Sequence, residues 1–166
     1  MLETEGTAEP TNVYRDCRKK AAAYNEKLNS LDITADLLGL SPSTLRKYEL
    51  NVTKCVPVES VVMMAELYNA PELRNWYCKN ECPIGARAPI ATELRSLESI
   101  TIRLLNILDE QKLAKMKKSL LEIAEAGKIT DENERELKQI TELLTNLEVT
   151  ISEMRMYAEK HSGRNK

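Results

Sequence analysis

Apolar positions change their rhythm about halfway along this chain. Between residues 12 and 79 they fall in short runs spaced three and four apart. These runs are separated by Gly39, Pro57 and Pro71. Val13, Cys17, Ala21 and Tyr24 predict a first helix from Asn12 to Lys27 with those four residues on its inner face. Ala35 and Leu38, then Leu45 and Tyr48, predict two very short helices either side of Gly39. Val61, Met64, Ala65 and Tyr68 predict a fourth helix over 59–68, and Pro71 opens a fifth that ends near Cys78.

Beyond residue 90 there is no proline, and Gly127 is the only glycine before Gly163. The pattern predicts long helices over 91–126 and 131–160, joined by a turn at 126–131. Thr130 or Asp131 would cap the second of these, with Glu134 completing a capping box. In the first, Leu94, Leu97, Leu104 and Leu108 shift phase to Leu113, Met116, Leu120 and Ile123, which implies a bend near Asp109. In the second, Leu137, Ile140, Leu144, Leu147, Ile151, Met154 and Ala158 alternate spacings of three and four, a heptad seam. The seam fits either a hairpin within one chain or a dimerisation module, and both hold in a four-helix bundle of two chains.

The expected architecture is therefore all-α. It comprises a tail (1–11), a five-helix domain (12–79), a linker (80–90) holding Pro83, Gly85 and Pro89, a helical hairpin (91–161) and a tail (162–166).

The segment from Ile33 to Glu49 is the most specific part of the chain. Gly39 stands where one short helix must stop and the chain turn sharply, a place for the left-handed backbone. Ser41 follows as a natural N-cap and Pro42 takes the first helical position, where its missing N–H costs nothing. Ala35 is small where the two helices would approach. Helix, tight turn and helix in this order form the geometry that lays a helix in the major groove of DNA. With Leu45 and Tyr48 pointing inward, the second helix carries short polar and basic side chains outward.

Composition narrows the choice. Apolar residues make up 42% and charged residues 30%, the profile of a folded chain. No apolar run reaches the length of a membrane span and the acidic N-terminus lacks a signal-peptide pattern. Together with four cysteines this points to the cytoplasm. The net charge is −2, yet residues 11–57 hold eight Lys or Arg against five Asp or Glu, a local excess of three positive charges. That suits a selective binder with few phosphate contacts.

Chemistry finds little footing. His161 is the only histidine and the five glycines stand singly, so neither a histidine-based nucleophile pair nor a phosphate loop is available. The chain reads as a non-enzyme without a cofactor. Cys78 and Cys82, four apart, are weak metal candidates that Cys17 and Cys55 could complete. Their spacing is not that of a zinc knuckle, Cys17 reads as a core residue of the first helix, and plain structural cysteines are the simpler reading. As a redox pair, Cys78 and Cys82 would make the chain a responsive regulator.

Residues 13–78 resemble the lambda-repressor-like (Cro/C1, XRE-type) helix-turn-helix domains of phage and mobile-element regulators. The resemblance rests on Ala35, Leu38-Gly39-Leu40-Ser41, Leu45 and Glu49, followed by a basic loop and a further amphipathic helix. The string Trp76-Tyr-Cys-Lys-Asn-Glu-Cys-Pro-Ile-Gly85 also resembles such regulators from Gram-positive bacteria and their phages. The resemblance implies a transcriptional regulator, repressor-like, that binds a double-stranded operator as a homodimer through its C-terminal helices. It implies that Ser41, Pro42, Ser43, Thr44, Arg46 and Lys47 bind DNA, with Arg46 and Lys47 suited to guanine edges or phosphates and Ser43 to several bases, and that Lys54 touches the phosphate backbone. It also implies that Ala35, Gly39, Leu45 and Glu49 are structural, with Glu49 paired to Arg18 or Arg15. Two positions depart from the pattern: Leu31 stands about where the family places a glutamine, and Pro42 replaces a residue that often reads a base. The alternative is a protein–protein adaptor that keeps the helix-turn-helix as a scaffold and holds its partner on the heptad helix.

Overall fold

The computed structural model describes residues 12–162, and within them the chain is all-α. Its helices are α1 (Val13–Ala22), α2 (Leu31–Leu37), α3 (Pro42–Glu49), α4 (Val58–Leu67), α5 (Pro71–Asn80), α6 (Leu97–Ile107), α7 (Glu110–Ala126) and α8 (Asp131–Ser162). Short 3₁₀ turns occur at Glu26–Asn29 and Gly85–Arg87. None of these helices is long and apolar enough to cross a membrane. The tail expected at 1–11 lies outside the described residues, as does that at 162–166 apart from Ser162. The chain divides into two compact units, the boundary falling within α5 between Tyr77 and Cys78.

In the first unit, α1 to α5 close on one core. Tyr14, Leu28, Ala35, Leu45, Val56, Val61, Met64 and Leu73 are almost wholly removed from water. Trp76 packs its ring edge-on to Tyr14 at 6.0 Å between centroids. The helices are short because each is stopped by a built terminus. After α2, Gly39 takes φ 64° while the Leu40 amide bonds the Ala35 carbonyl (2.9 Å) and the Gly39 amide bonds that of Asp36 (3.1 Å). After α3, Asn51 does the same at φ 53°, with Val52 N to Lys47 O at 3.0 Å. After α4 it is Asn69 at φ 48°, with Ala70 N to Ala65 O at 2.8 Å. These are three successive Schellman motifs, two of them using asparagine, the residue that tolerates the left-handed region best after glycine.

The first helix is shorter than its apolar pattern suggests. It ends at Ala22, and Tyr24, expected on the inner face, is 88% exposed. The side-chain oxygen of Asn25 accepts from the Lys27 amide and opens a new turn. That turn brings Leu28, not Tyr24, into the core. Arg18 pins it there, donating from Nη1 to the carbonyl of Leu28 at 2.8 Å.

In the second unit the helical pattern of 91–96 is not realised. Ser96 caps α6, its hydroxyl accepting from the Ser99 amide, and the same end lowers the pKa of Glu98 through the Glu98 amide and the Ser96 hydroxyl. The inner face of α6 is Ile100, Arg103, Leu104 and Ile107, while Leu97 and Leu108 are exposed. The break comes at Leu108–Asp109, where the Asp109 carboxylate accepts from the amides of Gln111 and Lys112 and starts α7. Along α7 the covered row is Leu113, Met116, Ser119 and Ile123, with Leu120 outside it. Gly127 ends α7 at φ 65°. Thr130 then starts α8, and its amide bonds the Asn133 side chain at 2.7 Å, so Asn133 rather than Glu134 reaches back to the helix start.

The heptad seam of α8 is buried at Ile140 but leaves the buried face beyond it. Leu144 and Ile151 are 45% and 39% exposed, whereas Thr150 and Glu153 are at 0% and 3%. Glu153 is held by Arg103, whose Nη1 lies 2.6 and 2.8 Å from its two carboxylate oxygens, and by Arg95 Nε at 3.1 Å.

Candidate nucleic-acid interface

α2 and α3 pack on each other across the Gly39 turn, and all residues of α3 but Thr44 fall clearly inward or outward. Leu45, Tyr48 and Glu49 are buried; Ser41, Pro42, Ser43, Arg46 and Lys47 are exposed, and Thr44 is half-buried. Ala35 is completely covered, as a small residue at a close helix approach must be. Ser41 caps α3, its Oγ accepting from the Thr44 amide at 3.1 Å. The same hydroxyl lies 2.9 Å from Ser43 Oγ and 2.8 Å from Thr44 Oγ1, so the first turn presents a cluster of three linked hydroxyls. Lys54 is exposed in the loop after α3.

The far end of α3 is fixed by two side chains from α1 and its cap. Arg18 meets Glu49, the last residue of α3, in a two-pronged pair: Nε to Oε1 at 2.5 Å and Nη2 to Oε2 at 2.7 Å. Both partners are buried, and the hydrogen bond to Glu49 raises the Arg18 pKa against the opposing effect of burial. Asn12 works beside it. Its Oδ1 accepts from the amides of Tyr14 (2.9 Å) and Arg15 (3.1 Å), capping α1. Its Nδ2 donates to the Tyr48 carbonyl at 2.9 Å and to Asn51 Oδ1 at 2.5 Å, closing the end of α3. One buried amide thus satisfies two helix termini. Neither Asn12 nor Asn51 stands out in the sequence as a site residue; an asparagine ahead of Val13 is only a capping signal.

Charge on this face is mixed. Arg46, Lys47 and Lys54 are exposed, but so are Asp32 and Asp36 on α2, together with Ile33 and Leu37. Leu31 is half-buried and packs on the core, so it fills space where a polar residue would reach outward.

The cysteines are four free thiols: Cys17 is buried, Cys55 and Cys78 are exposed, and Cys82 is half-buried. Among the described residues no group of three or more His, Cys, Asp or Glu is placed to hold a metal ion. Cys82 instead accepts a weak bond from the Gly85 amide at 3.5 Å as the chain folds back on the end of α5. A side chain at Gly85 would collide with the Cys78 carbonyl, which explains the glycine. Lys79 ties the fold-back, donating to the carbonyls of Ala86 (2.9 Å) and Ala88 (3.0 Å).

Comparisons with protein-family models, with curated proteins and with solved structures give no match to this chain.

Proposed function

We propose that this chain is a sequence-specific DNA-binding transcriptional regulator, repressor-like, that lays α3 in the major groove of a short operator. One observation carries the reading: α3 is capped at its start by the exposed Ser41 and anchored at its end by the buried Arg18–Glu49 pair, while its outward face carries hydroxyls, Pro42, Arg46 and Lys47. A preorganised helix with short donors and two cations suits base-edge and phosphate contacts. Its first turn presents three linked hydroxyls, donors that suit a phosphate oxygen. The five helices of the first unit are then a lambda-repressor-like domain. A homodimer through the C-terminal helices would bring two such helices to successive major grooves, about 34 Å apart.

Selection from a randomised duplex library at near-physiological salt tests this. Enrichment of a short palindrome is the expected result. Binding without any enriched motif, vanishing as salt rises, would leave α3 supplying charge alone and would refute the reading.

A second reading has its own observation. Asp32 and Asp36, exposed beside Ile33 and Leu37, give α2 an acidic and apolar surface that repels phosphate and suits a protein surface. With no duplex binding, the first unit would be an adaptor scaffold.

A further inference from the structure

Over the C-terminal half of α8, two of the three buried side chains are polar, Thr150 and Glu153 lying buried with Met156. Thr150 and Glu153 face the hairpin core, Thr150 bonding the Asn146 carbonyl at 2.8 Å and Glu153 gripped by two arginines. The apolar row one face over, Leu144, Leu147, Ile151, Met154 and Ala158, is half-buried to exposed. A hairpin alone gains nothing from leaving Leu144, Ile151 and Ala158 exposed while burying a carboxylate on its inner side. The row continues the heptad with Leu144, Ile151 and Ala158 seven apart and Leu147 and Met154 between them, the pattern that seats another helix.

Charge identifies that helix. Glu148 and Arg155, both exposed, flank the row on the same side, seven residues apart, and neither is in an ion pair among the described residues. In a parallel pair of these helices, Glu148 would meet Leu143 and Arg155 would meet Thr150, so neither charge is compensated. In an antiparallel pair, like flanking positions meet. If Ile151 of one copy packs on Met154 of the second, Glu148 falls opposite Arg155 of the second copy, and the two-fold axis repeats the pair. The same register stacks Leu147 on Ala158 and Leu144 on His161, giving six layers over about 27 Å of helix. We infer that residues 144–161 of α8 form an antiparallel, two-fold interface with a second copy of this chain. The inference specifies how two copies meet, and it stands whether or not α3 meets DNA.

The test is sedimentation equilibrium of the full chain and three charge variants, with circular dichroism to confirm unchanged helix content. The wild type should be a dimer at micromolar concentration. Glu148→Arg and Arg155→Glu should each weaken dimerisation by about tenfold or more, since each places two like-charge contacts in the interface. The double variant Glu148→Arg/Arg155→Glu should recover most of the wild-type affinity. A wild type that stays monomeric to about 100 μM, well above the Kd expected of a functional dimer, overturns the inference. So does a dimer that ignores both single reversals, or one that the double variant fails to rescue. Ile151→Glu, a change on an exposed face, gives a second reading: it should yield a folded monomer, and a dimer that persists would place the interface elsewhere.

Discussion

Arg18 and Glu49 join the first helix to the end of the third through two parallel hydrogen bonds, and both are buried. The pair sets the orientation of α3 because Glu49 is its last residue and Arg18 also holds the Leu28 carbonyl. A buried ion pair of this kind adds little net stability over an apolar pair, but breaking it is costly, since the remaining charge has no partner. Glu49→Gln should therefore destabilise the chain by about 3 kcal/mol or more in urea unfolding. The double replacement Arg18→Met/Glu49→Leu should cost clearly less than Glu49→Gln. Equal or additive losses would show that the charges themselves, not their mutual neutralisation, stabilise the unit.

Beside this pair sits Tyr68, buried, with a hydroxyl that has no hydrogen-bond partner among the described residues. Burial, and then the neighbouring Glu49 carboxylate, raises its pKa. In the unfolded chain the phenol ionises near pH 10, while in the folded chain it stays protonated beyond that. Tyr68 thus contributes stability that is fully present below about pH 10 and is lost as pH rises through the folded-state pKa. Tyr68→Phe should be neutral or stabilising by up to about 1 kcal/mol at pH 7, because it removes an unsatisfied buried hydroxyl. It should also hold its stability better than wild type between about pH 9 and pH 11. A loss at pH 7 would mean that the hydroxyl is bonded after all.

The turn between α2 and α3 offers a cleaner test, because no neighbour obstructs it. Gly39 has φ 64°, and a Cβ there would meet nothing within 4 Å. Any cost of Gly39→Ala is therefore conformational, about 1 kcal/mol, seen as a lower urea midpoint with an unchanged slope. A substantially larger loss would require a steric or hydrogen-bonding role that the surroundings of Gly39 do not show.

The all-α class and the inward and outward sides of α3 were legible in the sequence because local signals agree there. Gly39, Ser41, Pro42 and the Leu45–Tyr48 spacing all point to one geometry. Elsewhere a long-range partner decided. The Asn25 cap is the one local sign that Leu28 rather than Tyr24 is the core residue, and it takes Arg18, ten residues before Leu28, to hold that turn in place. Asn51 and Asn69 end their helices in the left-handed region, but asparagine also occurs throughout helices and loops, so the signal is weak. The choice between Arg15 and Arg18 for Glu49 needed the helix rotation. On α8 the periodicity showed that an apolar face exists without showing what it faces. Glu153 is buried because Arg95 and Arg103 reach it from segments far away in sequence.

The outward face of α3 separates the proposed functions most sharply. Arg46 and Lys47 are exposed and make no contribution to the core, so alanine at either should leave the urea midpoint unchanged within about 0.5 kcal/mol. If they reach base edges, each substitution should weaken binding to the selected operator by about 1–3 kcal/mol and relax preference at one base position. Lys54→Ala should act differently, weakening all duplexes alike and reducing the salt dependence by about one unit of slope. Asp36→Asn removes a negative charge from the neighbouring helix and should strengthen binding to any duplex. Binding to duplex followed by fluorescence anisotropy across a salt series reads all four variants. If all four match wild type, α3 does not touch DNA, and the acidic, apolar surface of α2 becomes the place to seek a protein partner.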